Sequence, residues 1–452
     1  MAVRRLGSSR GKGQRMFFER AVREEGTRPA GLSVMRIAVI GAGPSGLATT
    51  IALMRRFHRP FEAWLIDAED APGAFADGAA GRALTTEPAR DLSVVPDRPE
   101  DFCDWLKTGL LSGGVVSALR GAQDLHVPRS LFRDYVMVRF AEALSLRRDV
   151  RIRTFRGTVR HIGACGEGLR VAFRDGEQAD FAHVVVATGF GIAQREAASW
   201  RDARAAAERL SQAKAPSPLT LVGNGPRLAA ILLDLRAGGY AGEIHVAAAA
   251  GRLPQPHGHG EGGVTLGVPP ATRSLKDAFR YIRRECSAAE AQGGGWQTVV
   301  DAASARLSVV WRHLPQAERN HYRRHLLRLH RHFSVRIALD IHRRLAGEFE
   351  TGRTRFVPPC DPKSAGENTI DCRETPSARA LAGLLGRDVA ALTVDDCGRL
   401  VSHDEVLCGL SVVGAVASSL RPGPFTFAET VRQAYRAVLD IQTQGLAHVS
   451  QR

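Results

Sequence analysis

Gly41, Gly43 and Gly46 follow the apolar run Ile37-Ala38-Val39-Ile40 directly, and Pro44 and Ser45 between them begin a helical pattern. A G-x-G-x-x-G turn between a strand and a helix is built to hold a dinucleotide diphosphate. Gly41 permits the tight turn, Gly43 lets the backbone approach the pyrophosphate, and Gly46 lets helix and strand pack closely. Free N–H groups and the dipole at the helix N-terminus attract the negative charge. A carboxylate, Asp67, ends the next strand pattern (Phe61-Glu62-Ala63-Trp64-Leu65-Ile66) and lies 21 residues beyond Gly46. At that spacing an acid accepts hydrogen bonds from ribose hydroxyls and repels a 2′-phosphate. This first site therefore suits the ADP half of FAD or NAD rather than NADP.

A second strand, Leu219-Thr220-Leu221-Val222, leads into Gly223-Asn224-Gly225-Pro226 and a helix to about Arg236, with a further strand at Ile244-His245-Val246. This is a second β-α-β unit with its own glycine turn. Between the two units, Val184-Val185-Val186 ends in Ala187-Thr188-Gly189.

Other residue sets offer less. His321 and His325 are spaced to share a helix face, near His313, His330, His332 and His342. No H-E-x-x-H pattern accompanies them, and the surrounding arginines disfavour a cation, so no metal site is expected. His257 and His259 lie in a Gly/Pro-rich loop from Pro254 to Gly263, where His257 could act as a general acid or base. Trp105 and Trp296 are expected to fill core or interface. Hydrolase and kinase readings have no motif to rest on.

The elements that must position these residues come from a chain of 452 residues with a formal net charge of +15 and an ordinary apolar fraction, enough for two or three domains. Only five of the basic residues are lysines. No aromatic-interleaved basic stripe marks a nucleic-acid site, and no apolar run is long enough for a membrane span, so neither partner is expected. Seven scattered cysteines without C-x-x-C suggest reduced thiols and a cytoplasmic location. Residues 1–34 carry a local charge excess and no apolar targeting core. They read either as an Arg-rich arm or, more simply, as sequence upstream of a start at Met35.

Helices are expected at 102–111, 130–146, 226–236 and 426–442, a small antiparallel meander within 150–187, a largely helical stretch over 273–347, and a strand at 410–414. The fold class is α/β. A Rossmann-like domain spans 35–200 and 350–452, and a second nucleotide-type β-α-β domain with a helical insertion spans 201–349.

Two such units with an Ala-Thr-Gly strand end between them resemble the two-dinucleotide-domain flavoproteins, and in particular the FAD/NAD(P)-binding family typified by bacterial YdhS-type proteins. The resemblance rests on Gly41–Gly46 with Pro72-Gly73-Ala74-Phe75; on Pro88-Ala89-Arg90-Asp91-Leu92-Ser93 and Pro99-Glu100-Asp101-Phe102 to Trp105; on Pro128-Arg129 with Leu131 and Tyr135; and on Arg252-Leu253-Pro254-Gln255-Pro256-His257. It implies FAD on the first unit. Gly41, Gly43, Pro44, Ser45 and Gly46 would hold the pyrophosphate and Asp67 the ribose. Val159 would meet adenine, Phe75 and Arg129 would approach the flavin or its phosphates, and Thr188, Gly189 and Gly414 would end strands beside it.

On the second unit, Gly223, Asn224, Gly225 and Arg252 would take NAD(P)H. There the chain departs from the family. Ala248-Ala249-Ala250-Gly251 stands where relatives carry Ser-Arg-Arg-Gly, Ala230 replaces an acid, and Cys372-Arg373-Glu374 replaces Cys-Thr-Gly. Thr86 also stands for an Asn, while Glu429 and Gln433-Ala434 match.

The function the resemblance implies is an FAD-dependent oxidoreductase acting on a small molecule, monooxygenase-like or dehydrogenase-like, with NAD(P)H as a possible electron donor. Alternatives are a flavin oxidase or dehydrogenase that does not use NADPH, and a flavin-binding regulatory or assembly protein without turnover.

Overall fold

The computed structural model describes residues 34–69, 72–76, 78–111, 122–190, 196–213, 217–248, 251–258, 274–362, 366–374, 378–403, 405–421 and 425–450. The N-terminal stretch 1–33, Ala249, Ala250 and His259 lie outside the described residues. The chain divides into two compact units, one of Met1–Arg195, Pro376–Leu420 and Thr426–Arg452, the other of Glu196–Thr375 and Arg421–Phe425.

The first unit opens with β1 (Met35–Ile40), α1 (Pro44–Arg56) and β2 (Phe61–Asp67). Pro44 occupies the first turn of α1, where its missing N–H costs nothing, and the ten residues Ser45–Met54 are all buried. Next come a short α2 (Gly78–Arg82), α3 (Asp101–Leu111) and α4 (Arg129–Ser145). β3 (Val150–Arg156) pairs in parallel with β2, so it belongs to the main sheet rather than to the meander that its alternation suggests. The meander itself is β4 (Val159–Cys165), β5 (Gly168–Phe173) and β6 (Gln178–Phe181). β7 (His183–Val186) returns to the sheet beside β1.

The second unit holds α5 (Glu196–Gln212), β8 (Leu219–Val222), α6 (Pro226–Ala237), β9 (Ile244–Ala247) and β10 (Gln255–Pro256). A helical stretch follows with α7 (Leu275–Ala291), α8 (Trp296–His313), α9 (Gln316–His321), a π-helical turn at Tyr322–Leu326 and α10 (Leu327–Ser334). The two-residue β11 (Arg336–Ile337), which pairs with β10, interrupts the largely helical stretch expected there; then come α11 (Leu339–Glu350), β12 (Thr354–Val357) and β13 (Thr369–Asp371). The four-stranded sheet runs β12-β9-β8-β13, parallel throughout. Because β12 and β13 pair here, the chain returns to the first unit at Pro376 and not near residue 350.

The first unit then ends with α12 (Ala378–Leu385), β14 (Leu392–Val394), β15 (Arg399–Ser402), β16 (Glu405–Val412), α13 (Ala415–Leu420) and α14 (Phe427–Ser450). Its seven-stranded sheet runs β14-β15-β16-β7-β1-β2-β3, parallel from β16 to β3. Alternate residues of β1 feed two cores. Ile37 and Val39 join α1, α4 and α14 on one face, while Ala38 and Ile40 join Val184, Val186 and the meander on the other.

Candidate functional site

In the first unit the nominated residues gather at the carboxyl ends of β1, β2, β7 and β16, where β1 lies between its sequence neighbour β2 and the later strand β7. Ligands of open α/β sheets bind at such a switch point. Gly41 has φ of +107°, and a Cβ there would stand 2.6 Å from the Ala187 carbonyl oxygen. A Cβ on Gly46 would collide with the Gly41 carbonyl. Gly43 differs from both. Its φ is −76°, and a Cβ on it would meet nothing within 4 Å.

Asp67 braces this turn from the side. Its Oδ2 accepts the Ala42 N–H at 2.6 Å and its Oδ1 the Glu69 N–H at 3.0 Å. A carboxylate has about four acceptor positions, so capacity remains for ribose hydroxyls. Thr188 Oγ1 is buried with no hydrogen-bond partner, and Gly189 beside it, at φ +59°, borders open space. Gly414, at φ +80°, approaches Ser45 so closely that a Cβ would lie 2.5 Å from Ser45 Oγ. Its N–H is taken by the buried Gln433 Oε1 at 3.0 Å, which ties the end of β16 to α14. The open cradle over Gly43, the orphaned hydroxyl and the spare capacity of Asp67 fit the ADP half of FAD.

The flanking stretches are held by different means. Gly73 donates to the Ala42 carbonyl at 3.3 Å, placing Phe75, half-buried, against the core on the α1 side. Arg129 is the first residue of α4, and its N–H reaches the Ala83 carbonyl at 2.9 Å. Val159 starts β4 and packs in the meander-side core.

Beneath the 88–99 loop, Asp101 is 1 % exposed and accepts Tyr135 Oη at 2.9 Å and Arg139 Nε at 2.7 Å. The Tyr135 oxygen in turn accepts the Val94 N–H at 3.1 Å, and burial pushes the phenol pKa up. Trp105 stacks on Phe102 in this core, as expected of a filling residue. His126 Nδ1 lies 2.9 Å from the Thr85 carbonyl, and burial lowers its pKa.

In the second unit, the Gly223 turn follows β8 and Gly225 caps α6. Ala248 is buried and Arg252 exposed. Arg373 and Glu374, which stand where the resembled family carries Thr-Gly, adjoin this turn. A Cβ on Gly223 would lie 3.3 Å from Arg373, and one on Gly225 would lie 3.5 Å from Glu374 Oε2. Arg227, 3 % exposed near the start of α6, has Nε 4.0 Å from Glu374 Oε1. The residue type at 374, an acid at a strand end that faces a glycine turn, was the signal available in the sequence.

The histidines do not converge on one point. The His321 and His325 rings lie 4.9 Å apart and tilted, His342 Nδ1 meets the Pro254 carbonyl at 2.9 Å, and His330 is bonded to Ser304 and Tyr322. No metal-ligating group of three occurs among the described residues. Main-chain N–H of His257 donates to Ile337 at 2.9 Å, an extension of the β10–β11 pairing. A hollow of about 510 Å³ on the meander, lined by Arg160, His161 and Arg170 among others, is separate from the glycine turn, and Asp180 holds Arg170. No described helix is long and apolar enough to cross a membrane.

Residues 38–191 match the model of a family described as FAD-NAD(P)-binding. Among solved structures, an ornithine hydroxylase from Pseudomonas aeruginosa is similar over 91% of this chain and 99% of its own, at TM-score 0.55 and 15% identity. An ornithine N-hydroxylase from Kutzneria sp. 744 is similar over 91% and 100%, at TM-score 0.51 and 14% identity. A lysine monooxygenase from Nocardia farcinica is similar over 89% and 98%, at TM-score 0.50 and 12% identity. At such identities the likeness is one of fold. A search of curated proteins by sequence finds no match.

Proposed function

We propose that this divergent FAD/NAD(P)-binding flavoprotein is an FAD-dependent oxidoreductase acting on a small molecule, monooxygenase-like in architecture. The observation that carries the reading is the convergence of four strand ends on one glycine turn that has open space above Gly43 and a brace from Asp67. A bound FAD supplies hydride and electron transfer at its ring system. The chain's own part is to hold and orient it. Gly41, Gly43, Pro44, Ser45 and Gly46 present the start of α1 to the diphosphate, Asp67 takes the ribose, and Thr188, Gly189 and Gly414 border the same edge. Phe75, Arg129 and Val159 are assigned to its flanks. The three solved structures of similar fold named above are two ornithine hydroxylases and a lysine monooxygenase, which supports a small-molecule substrate. Seven free thiols support a reducing compartment, the cytoplasm.

A second reading, an oxidase or dehydrogenase whose substrate reduces the flavin directly, is favoured by the residues of the second turn. Ala248 is buried there without a charge, and Glu374 brings a negative one. Absorbance of the purified protein with added FAD, followed by anaerobic stopped-flow mixing with NADH and NADPH, tests both readings. A flavin spectrum that survives gel filtration is expected. A protein that stays colourless after incubation with FAD would sink the proposal.

A further inference from the structure

The chain contains its own control for what a dinucleotide turn needs. Both units place a glycine turn after the strand at the switch of the sheet, and both bring another strand's end beside it. In the first unit that strand end is Thr188-Gly189, and the space over Gly43 is open. In the second unit the corresponding strand end is Arg373-Glu374, and a carboxylate oxygen stands 3.5 Å from where a Cβ on Gly225 would be.

Positive charge lies beside Glu374. Gly225 caps the twelve-residue α6, whose N-terminus favours negative charge. Arg227, at the same helix start, has Nε 4.0 Å from Glu374 Oε1 and Nη1 3.5 Å from the Arg373 carbonyl. Arg373 is turned to its own strand, with Nε and Nη2 on the Asp371 carboxylate at 2.9 and 2.8 Å. The Arg373 guanidinium is thus matched by Asp371, and the helix start and the Arg227 guanidinium both face the Glu374 carboxylate. Diphosphate placed at this turn would meet that carboxylate at contact distance. The residues present do not fit NADH or NADPH.

We propose that Glu374 is a specificity-determining residue that takes the diphosphate position of the second glycine turn and excludes nicotinamide dinucleotides from it. Glu374 acts as an internal anion, and the turn serves to fasten the end of β13 to α6. The reading rests on the second unit alone and stands whether or not the first unit carries flavin.

Calorimetric titration of the full chain with NADH and with NADPH tests it, on the native protein and on Glu374→Gln and Glu374→Gly. The first substitution removes the charge at constant size, and the second restores open space over Gly225. Dissociation constants of about 1 mM or weaker are expected for the native chain, with a gain of about tenfold or more in at least one variant for one dinucleotide. Binding by the native chain below about 10 μM, or a gain of less than about tenfold in both variants, would overturn the proposal. Flavin content, read separately from absorbance, reports on the first unit. Loss of flavin therefore counts against the oxidoreductase reading and leaves the titration to decide the role of Glu374.

Discussion

Three glycines within six residues carry three different duties, and single substitutions separate them. Gly43 has an ordinary φ and faces open space, so Gly43→Ala leaves the stability of the flavin-free chain within about 0.5 kcal/mol of native. Its methyl group then stands where a diphosphate must approach, and FAD affinity falls by about tenfold or more. Gly41→Ala adds a side chain at φ +107° and drives it into the Ala187 carbonyl, which costs about 2 kcal/mol or more in the flavin-free chain. Urea unfolding and titration of FAD fluorescence on both variants give the comparison. Equal stability losses would show that the space over Gly43 is not a ligand's. These duties were legible in the sequence because each is a local demand of the backbone. The Gln433–Gly414 hydrogen bond was not legible as a contact, since its partners are brought together only when the last helix docks on the sheet.

At the scale of elements, the helical part of the second unit contains a polar chain whose proton positions follow from its geometry. Ser304 Oγ is 2.7 Å from the Val300 carbonyl and gives its proton there, so it accepts from His330 Nε2 at 2.7 Å. His330 Nδ1 must then accept from Tyr322 Oη at 2.5 Å, within the π-helical turn. Burial, with a smaller push from Arg331, lowers the His330 pKa from 6.5 to about 4. The unfolded chain therefore binds a proton between pH 6.5 and 4 that the folded chain does not. Stability is full above pH 6.5, declines as pH falls through this window by up to about 3 kcal/mol, and is flat for this group below it. Chemical denaturation at pH 7 and pH 4.5 measures the slope, and His330→Gln should remove the part of it that belongs to this ring. A unchanged slope in that variant would assign the acid sensitivity elsewhere.

Helical periodicity made the stretch over 273–347 legible as helix. It could not show the break at β11, because that break is set by pairing with β10, about eighty residues earlier in the chain. β3 was misread because Arg151 and Arg153, half-buried on one side of an edge strand, give the same alternation as a meander strand.

For the whole molecule, the two units offer separate thermal responses. Saturating FAD binds the folded first unit and not the unfolded chain, so at about a hundredfold excess over its dissociation constant it adds about 2.7 kcal/mol and raises the melting temperature. NADPH at the same concentration leaves the melting curve in place if Glu374 closes the second turn. Scanning calorimetry with each ligand makes the measurement, and a shift with NADPH equal to that with FAD would contradict the assignment. Composition reported the class of this chain, and the two glycine turns reported its two units. The boundary near residue 376 was hidden because β12 and β13 are short strands whose partners lie more than a hundred residues earlier.

The pairing of Leu410 with Val184 has a consequence for the chain during its synthesis. β16 cannot take its place until Glu196–Thr375 of the second unit and α12 have been made, and Gly414 closes on Ser45 only after that. A nascent chain that has emerged as far as Asp67 already displays the entire fingerprint, yet the strand, the glycine and the helix that finish its edge are still hundreds of codons away. Cofactor capture is thereby a late event in the life of each molecule, and a chain released early carries the signature of a flavin site without the means to complete one.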